Sequence, residues 1–163
     1  VIVIRSFSVA TFTELGGNRF IPLWAQRSTV KPEADRFGKR RDRWRKIAAE
    51  SVKQCGRSHI PAIEPVHSFQ DVVGAYGTYD LCVIFDTDSR YAADMSDRKK
   101  VDRILVMIGP EGGFTTEEVE MARREGFVVS PIGPRVLKSD TAVVAALALI
   151  QHLFGDLTPA KRA

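Results

Sequence analysis

The sequence predicts an α/β protein, a parallel sheet flanked by helices, and three observations carry that expectation. Leu81-Cys82-Val83-Ile84-Phe85 is a continuous apolar run of strand length, the pattern of a strand buried on both faces. Arg103–Ile108 is a second apolar run. It leads through a glycine-rich turn into a helix start, where Thr115 and Glu118 have capping-box spacing ahead of Val119, Met121 and Ala122. Gly126-Phe127-Val128-Val129 repeats the arrangement, and its turn opens an apolar helix from Ala142 to Phe154. Strands and helices that alternate in this way close into a parallel sheet covered by helices.

The earlier elements follow in order. Ser8–Leu15 reads as a short helix stopped by Gly16-Gly17, and Phe20–Trp24 as a buried strand. Val30–Gly38 reads as a polar loop. Lys39–Cys55 is an amphipathic helix: Trp44, Ile47, Ala48, Ser51, Val52 and Cys55 keep helical spacing with basic residues opposite, and Gly56 stops it. Pro61–Val66 is extended, Ser68–Tyr76 is a helix with Ser68 as its cap, and Asp86–Lys100 is a charged loop. The chain shows no internal repeat and no low-complexity tract, only a short basic tail at Lys161-Arg162.

Composition narrows the class. At 163 residues, 44% hydrophobic and 27% charged, one globular domain spanning 1–163 is expected. The longest apolar stretch, Ala142–Ile150, suits a buried helix rather than a membrane span. Val1–Ile4 is too short for a secretory core and lacks a cleavage pattern. Cys55 and Cys82 stand apart without CxxC spacing, so free thiols in a reducing cytoplasm are expected. His59, His67 and His152 are scattered without metal-ligand spacing, and no metal is expected. The net charge of +4 is unevenly spread: ten basic residues stand against four acidic ones between Lys31 and Ile60. Such an excess suits phosphate contact, and it equally suits a solvated helix face.

Two turns carry the chemistry. Ile108-Gly109-Pro110-Glu111-Gly112-Gly113-Phe114 joins a strand to a helix start, an arrangement that presents backbone N–H groups to an anionic or polar ligand. Gly112 and Gly113 permit positive φ and close backbone approach, while Pro110 stiffens the turn. Alone, such a turn is also an ordinary βα connection. The second is Pro131-Ile132-Gly133-Pro134-Arg135-Val136-Leu137-Lys138-Ser139-Asp140-Thr141-Ala142. Both follow strands, at the carboxyl edge where ligands bind in open parallel sheets. No GxGxxG is present, which argues against the common dinucleotide-binding folds.

Taken together, Gly109-Pro110-Glu111-Gly112-Gly113, Gly133-Pro134-Arg135-Val136-Leu137, Asp140-Thr141-Ala142 and the closing Gly155-Asp156-Leu157 resemble the SPOUT-superfamily methyltransferases. Within that superfamily they resemble the family that methylates N3 of a uridine in 16S ribosomal RNA. Thr13-Glu14-Leu15-Gly16, and Glu50 through Gln54 to Arg57, add matches in the same order, so the resemblance covers most of the chain. Lys138 stands where the family usually has Arg, and Asp140 where it has Glu. A lysine that commonly precedes the Thr-Glu-Leu-Gly motif is replaced by Thr11 or a neighbour. Nothing corresponds to the family's N-terminal RNA-binding β-barrel, and the chain begins without an initiator methionine, so a fragment or truncated form is expected.

The resemblance implies a C-terminal trefoil knot, a homodimer with a shared active site, S-adenosylmethionine as cofactor, and 16S ribosomal RNA or the small ribosomal subunit as partner. The apolar last helix is compatible with a dimer interface and equally with core packing. The adenine would rest on Ile84 or Phe85, Ile132 and Leu137, with Gly109, Pro110, Glu111 and Gly112 near the methionine portion. Gly133, Val136, Thr141 and Ala142 complete the expected cofactor set. Methyl transfer needs positioning and removal of the uridine imide proton. Asp140 is the leading base, although it also stands where a helix cap is wanted. Arg135 or Lys138 would offset charge on the base oxygens, or Arg135 would face a phosphate. Glu14, with Arg19, would complete the site from a neighbouring segment or subunit, or else brace the Gly16-Gly17 turn. Arg40, Arg41, Arg45, Gln54 and Arg57 are the expected RNA contacts, with Arg57 alternatively complementing a helix C-terminus. Glu111 is expected to anchor its loop. The rivals are a SPOUT methyltransferase for another RNA site, a non-catalytic RNA-binding domain, and a phosphate-binding α/β protein.

Overall fold

A computed structural model describes residues 2–4, 9–27, 34–87, 95 and 101–157 of the chain. Its elements are β1 (Ile2–Ile4), α1 (Val9–Glu14), β2 (Arg19–Trp24), α2 (Ala34–Cys55), β3 (Ala62–Ile63) and β4 (His67–Ser68). There follow α3 (Phe69–Gly74), a single 3₁₀ turn (Tyr76–Thr78), β5 (Leu81–Phe85), β6 (Ile104–Ile108), α4 (Thr116–Arg124), β7 (Val128–Ser130) and α5 (Ser139–Phe154). The sheet runs β3-β2-β1-β6-β5-β7, with β4 pairing the end of β2, and every pair is parallel. The α/β class and the parallel sheet flanked by helices are as expected.

Strand alternation divides the core. Val83, Phe85, Val106 and Ile108 face one layer, where they pack with Phe12 of α1, Trp44 of α2 and Val143, Ala146, Leu147 and Ile150 of α5. Cys82, Ile84, Leu105 and Met107 face the other, against Phe69, Val72 and Val73 of α3 and Val119 and Ala122 of α4. Successive side chains on a strand point to opposite faces, so one apolar run feeds both cores. Burial raises the Cys82 thiol to about 12, making it an inert core atom.

Two expectations change, and one strand lies where no element was expected. β1 is the central strand, with Ile2 opposite both Phe20 and Val106, yet three residues are too few to show a period. Helix α2 starts at Ala34 rather than Lys39. Helix α5 starts at Ser139, three residues before its apolar stretch, because its first turn lies at the surface. The cap of α3 is as read: Ser68 accepts from the Asp71 N–H, and Asp71 accepts in return from the Ser68 N–H. Residues 28–33, most of 86–100 and the 161–162 tail fall outside the described residues.

Because all strands are parallel, the ends of β2, β5, β6 and β7 share one edge, and both long helices begin beside it. Among the described residues no helix is long and apolar enough to cross a membrane, and no group of His, Cys, Asp or Glu could hold a metal ion.

Candidate active site

The first loop leaves β6 at Ile108 and closes as a tight turn, the Gly113 N–H donating to the Pro110 carbonyl at 2.8 Å. Gly113 has φ 67°, so it is the loop residue that needs the left-handed region. Gly112 does not adopt positive φ; its smallness serves a close approach instead. A Cβ there would stand 3.2 Å from the Arg27 Cβ. Arg27 in turn donates through one guanidinium nitrogen to the Gly112 carbonyl at 3.0 Å and the Phe114 carbonyl at 3.3 Å.

The helix start behind this loop is the expected capping box. Thr115 Oγ1 accepts from the Glu118 N–H, and Glu118 Oε2 accepts from the Thr115 N–H at 2.9 Å. Its carboxylate is buried and has a second oxygen, Oε1, which accepts from the Gln26 N–H at 2.8 Å. A carboxylate taken out of water needs its remaining lone pairs met, and here the exit of β2 meets them. Segment 25–27 is therefore tied to the glycine loop and the helix start behind it. The sequence reading missed Gln26 and Arg27. Glu111, expected to anchor the loop, is exposed, and the anchor is Arg27.

The second loop runs from Pro131 to Lys138. Gly133, Pro134, Arg135 and Val136 are exposed, Val136 at 82%. Ile132 and Leu137 are half-buried, Ile132 packing on the core beside Phe85. A valine left that open, flanked by two half-buried apolar residues, has no packing partner of its own to explain it. Lys138 occupies the N-cap position of α5 without a side-chain capping bond. Asp140 is therefore in the first helical turn and not the cap, and the structural explanation that remains for it is the helix dipole. Asp140 and Thr141 are exposed, at the end where the helix dipole favours an anion. The Ala142 N–H is used within the helix, donating to the Lys138 carbonyl at 2.8 Å.

At the end of β5, Ile84 and Phe85 are both buried, on opposite faces of the sheet. Ile84 is fully enclosed in the layer under α3 and α4, so its side chain has no surface to offer a ligand. Phe85 lies on the α5 side, in the same cluster as Ile132. The Asp86 N–H donates to the Ser130 carbonyl at 3.2 Å, which holds the ends of β5 and β7 together.

Other expected site residues lie at the opposite edge. Glu14 ends α1, and the Leu15 carbonyl beside it accepts from Gln151 Nε2 at 3.1 Å near the far end of α5. Eleven residues of helix separate Gln151 from Asp140, about 16 Å. Within one chain, then, Glu14 does not reach Asp140. Gln54 is exposed at this far edge. Arg57 donates to the Thr13 carbonyl at 2.7 Å, the Gly17 carbonyl at 2.8 Å and Asn18 Oδ1, so it clamps the Thr-Glu-Leu-Gly turn. Arg19 pairs with Glu64 at 3.4 Å. Gln151 was likewise missed in sequence, since nothing local distinguishes it from any other polar residue of an apolar helix.

The basic half of α2 returns to the carboxyl edge. Arg40 lies over the Trp44 ring at 4.8 Å, Arg45 pairs with Asp42 at 3.6 Å, and Arg41 lines a cavity beside Trp24.

Comparison with known proteins is consistent with this geometry. The chain is 37% identical over 147 residues to ribosomal RNA small subunit methyltransferase E of Bacillus subtilis, covering 86% of this chain and 57% of that protein. It is 30% identical to the enzyme of the same name from Buchnera aphidicola subsp. Schizaphis graminum, over 94% of this chain and 62% of the relative. The chain thus spans about three fifths of the length of these relatives. Among solved structures, it superposes with a TM-score of 0.85 and 27% identity on ribosomal RNA small subunit methyltransferase E from Neisseria gonorrhoeae, bound to S-adenosylmethionine. That match covers 96% of this chain and 67% of the other. A Legionella pneumophila structure with bound S-adenosylmethionine gives 0.82 at 27% identity, over 92% of this chain and 65% of that one. The family model for the RNA methyltransferase domain matches residues 5–151, and the chain belongs to that family.

Proposed function

We propose that this chain is the catalytic domain of an S-adenosylmethionine-dependent methyltransferase acting on N3 of a uridine in 16S ribosomal RNA. The observation that carries the reading is the pair of loops at one sheet edge, joined to a close structural likeness to a relative bound to S-adenosylmethionine. The residues present fit such a group. Gly133 has open space where a Cβ would project, Val136 stands exposed, and Leu137 and Ile132 are half-covered beside it. These apolar side chains suit an adenine ring, while Gly109, Pro110, Glu111 and Gly112 form the wall toward the methionine portion, with Thr141 and Ala142 below.

S-adenosylmethionine supplies an electrophilic methyl group. This chain's part is to orient the acceptor and handle its proton. Uridine N3 carries a proton at neutral pH and is a poor nucleophile until that proton is drawn off. Asp140, exposed in the first turn of α5, takes the proton. Arg135 and Lys138 on the loop before it offset the charge that grows on the flanking carbonyl oxygens. Arg40, Arg41 and Arg45 hold phosphates along the same edge. A partner subunit brings its own Thr-Glu-Leu-Gly turn to this edge, because Glu14 of the same chain is too far away. The reading therefore includes a homodimer. It also includes a trefoil knot formed by the C-terminal segment around the cofactor, a single SPOUT domain over 1–163, and a cytoplasmic location.

The test is transfer of labelled methyl from S-adenosylmethionine to small ribosomal subunits lacking the modification, followed by nucleoside digestion. The reading predicts 3-methyluridine, lost at least a hundredfold in Asp140→Asn. Binding of cofactor and RNA without any transfer would instead identify a non-catalytic RNA-binding domain.

A further inference from the structure

A second concavity opens at the same carboxyl edge, lateral to the cofactor loops. It encloses about 630 Å³ between Trp24 at the end of β2, Pro65 to Ser68 around β4, and Phe37 and Arg41 on α2. That volume is of the size that holds small organic ligands. Its floor is held rigid, Phe37 packing edge-on against Trp44 with ring centroids 6.0 Å apart. The walls are largely aromatic and apolar, with one guanidinium, Arg41, and one imidazole, His67.

Arg41 makes the pocket chemically specific. Its Nε is buried and, among the described residues, is the buried side-chain polar atom without a hydrogen-bond partner. Buried donors are normally matched; this one has no surface of its own, so a ligand's acceptor would be met by the guanidinium turning toward the cavity that Arg41 lines. A flat aromatic wall with a guanidinium and an imidazole matches an unpaired base with its phosphate. The base stacks on the indole or phenyl face, and its carbonyl or phosphate oxygen accepts from Arg41. An acidic peptide would satisfy the guanidinium but leave the aromatic wall unused. Placement agrees. Only β1 separates β2 from β6, so the pocket and the glycine loop open at the same edge of the sheet. Exposed Lys39 and Arg43 on α2 add positive charge nearby.

We infer that this pocket is a second nucleobase site, which takes one unpaired base of the single-stranded RNA segment carrying the methylated nucleotide. The inference rests on the proposed RNA substrate and adds to it where a flanking base is held.

Trp24 is half-buried in this pocket and Trp44 is buried in the core, so tryptophan fluorescence reports on the site. The full chain, with S-adenosylmethionine present, is titrated with hexauridylate. Saturable quenching is expected, weakened at least tenfold in Arg41→Met and also in His67→Ala, with the circular dichroism of both variants unchanged. Trp24→Phe removes the signal while anisotropy of labelled RNA still shows binding. Absence of quenching in the parent chain, equal affinity in both pocket variants, or equal quenching by a polyglutamate peptide would overturn the inference. Cofactor calorimetry on the same samples separates the two claims. Cofactor binding without quenching removes the pocket alone, and quenching without cofactor binding removes methyl transfer alone.

Discussion

Arg27 and Gly112, 85 residues apart, are fitted to each other: the guanidinium donates to the glycine's carbonyl, and a Cβ on the glycine would press on the arginine's own Cβ. The exit of β2 thus sets the shape of the glycine loop. Hydrogen bonds from charged groups contribute about 1.5–3 kcal/mol. Arg27→Ala should therefore weaken S-adenosylmethionine binding about tenfold in calorimetry. Because Arg27 is exposed, solvent offsets part of that contribution, and the thermal midpoint should fall by only a few degrees. Arg27→Lys, which offers a point charge and no fork, should recover only part of the affinity.

Gly113→Ala tests the turn itself. A left-handed conformation costs an ordinary L-residue about 1–2 kcal/mol, and the loop can avoid that cost only by opening. Denaturant unfolding should show a loss of that size, with cofactor affinity falling as well. Gly74 has no positive φ and open space around it, so Gly74→Ala is the matched control and should leave binding unchanged.

The legibility of the chain follows the range of its interactions. Leu81–Phe85 could be read as a strand because both faces are buried, and that leaves an unbroken apolar run. The Thr115–Glu118 capping box could be read because its partners are three residues apart. The family motifs located both loops. What could not be read is whatever joins distant segments. The Gln26 N–H on Glu118, Arg27 on Gly112 and Gln151 on Leu15 leave no local periodicity. Ile2–Ile4 is a strand only because β2 and β6 flank it. Arg57 looked like a phosphate contact because charge is visible in sequence, whereas the carbonyls of Thr13 and Gly17 that it binds are backbone and are not.

The Arg57 clamp gives a stability prediction. Arg57→Ala leaves the Gly17 carbonyl without its donor and the Thr13 carbonyl with the Gly16 N–H alone, at a cost of about 1–3 kcal/mol by denaturant unfolding. Arg57→Lys should restore little, since one ammonium cannot span both carbonyls and Asn18. An unchanged stability with weakened RNA binding would assign Arg57 to RNA instead.

The two thiols should differ sharply. Cys55 is half-buried, whereas Cys82 is enclosed and its thiol is pushed up to about 12 by burial. One equivalent of iodoacetamide label per native chain is expected at pH 8, on Cys55, and two after unfolding. The unfolded thiol ionises near 9, so the folded state binds more protons above that pH. Folding stability should fall as pH rises from about 9 toward 12, and Cys82→Ala should flatten that fall.

The central claim is that the two loops at the carboxyl edge hold S-adenosylmethionine, and calorimetric titration of the chain tests it most directly. Micromolar binding is expected, lost in both Gly112→Val and Leu137→Asp. A folded, dimeric chain that takes up no S-adenosylmethionine, or binding that survives both substitutions, would contradict it.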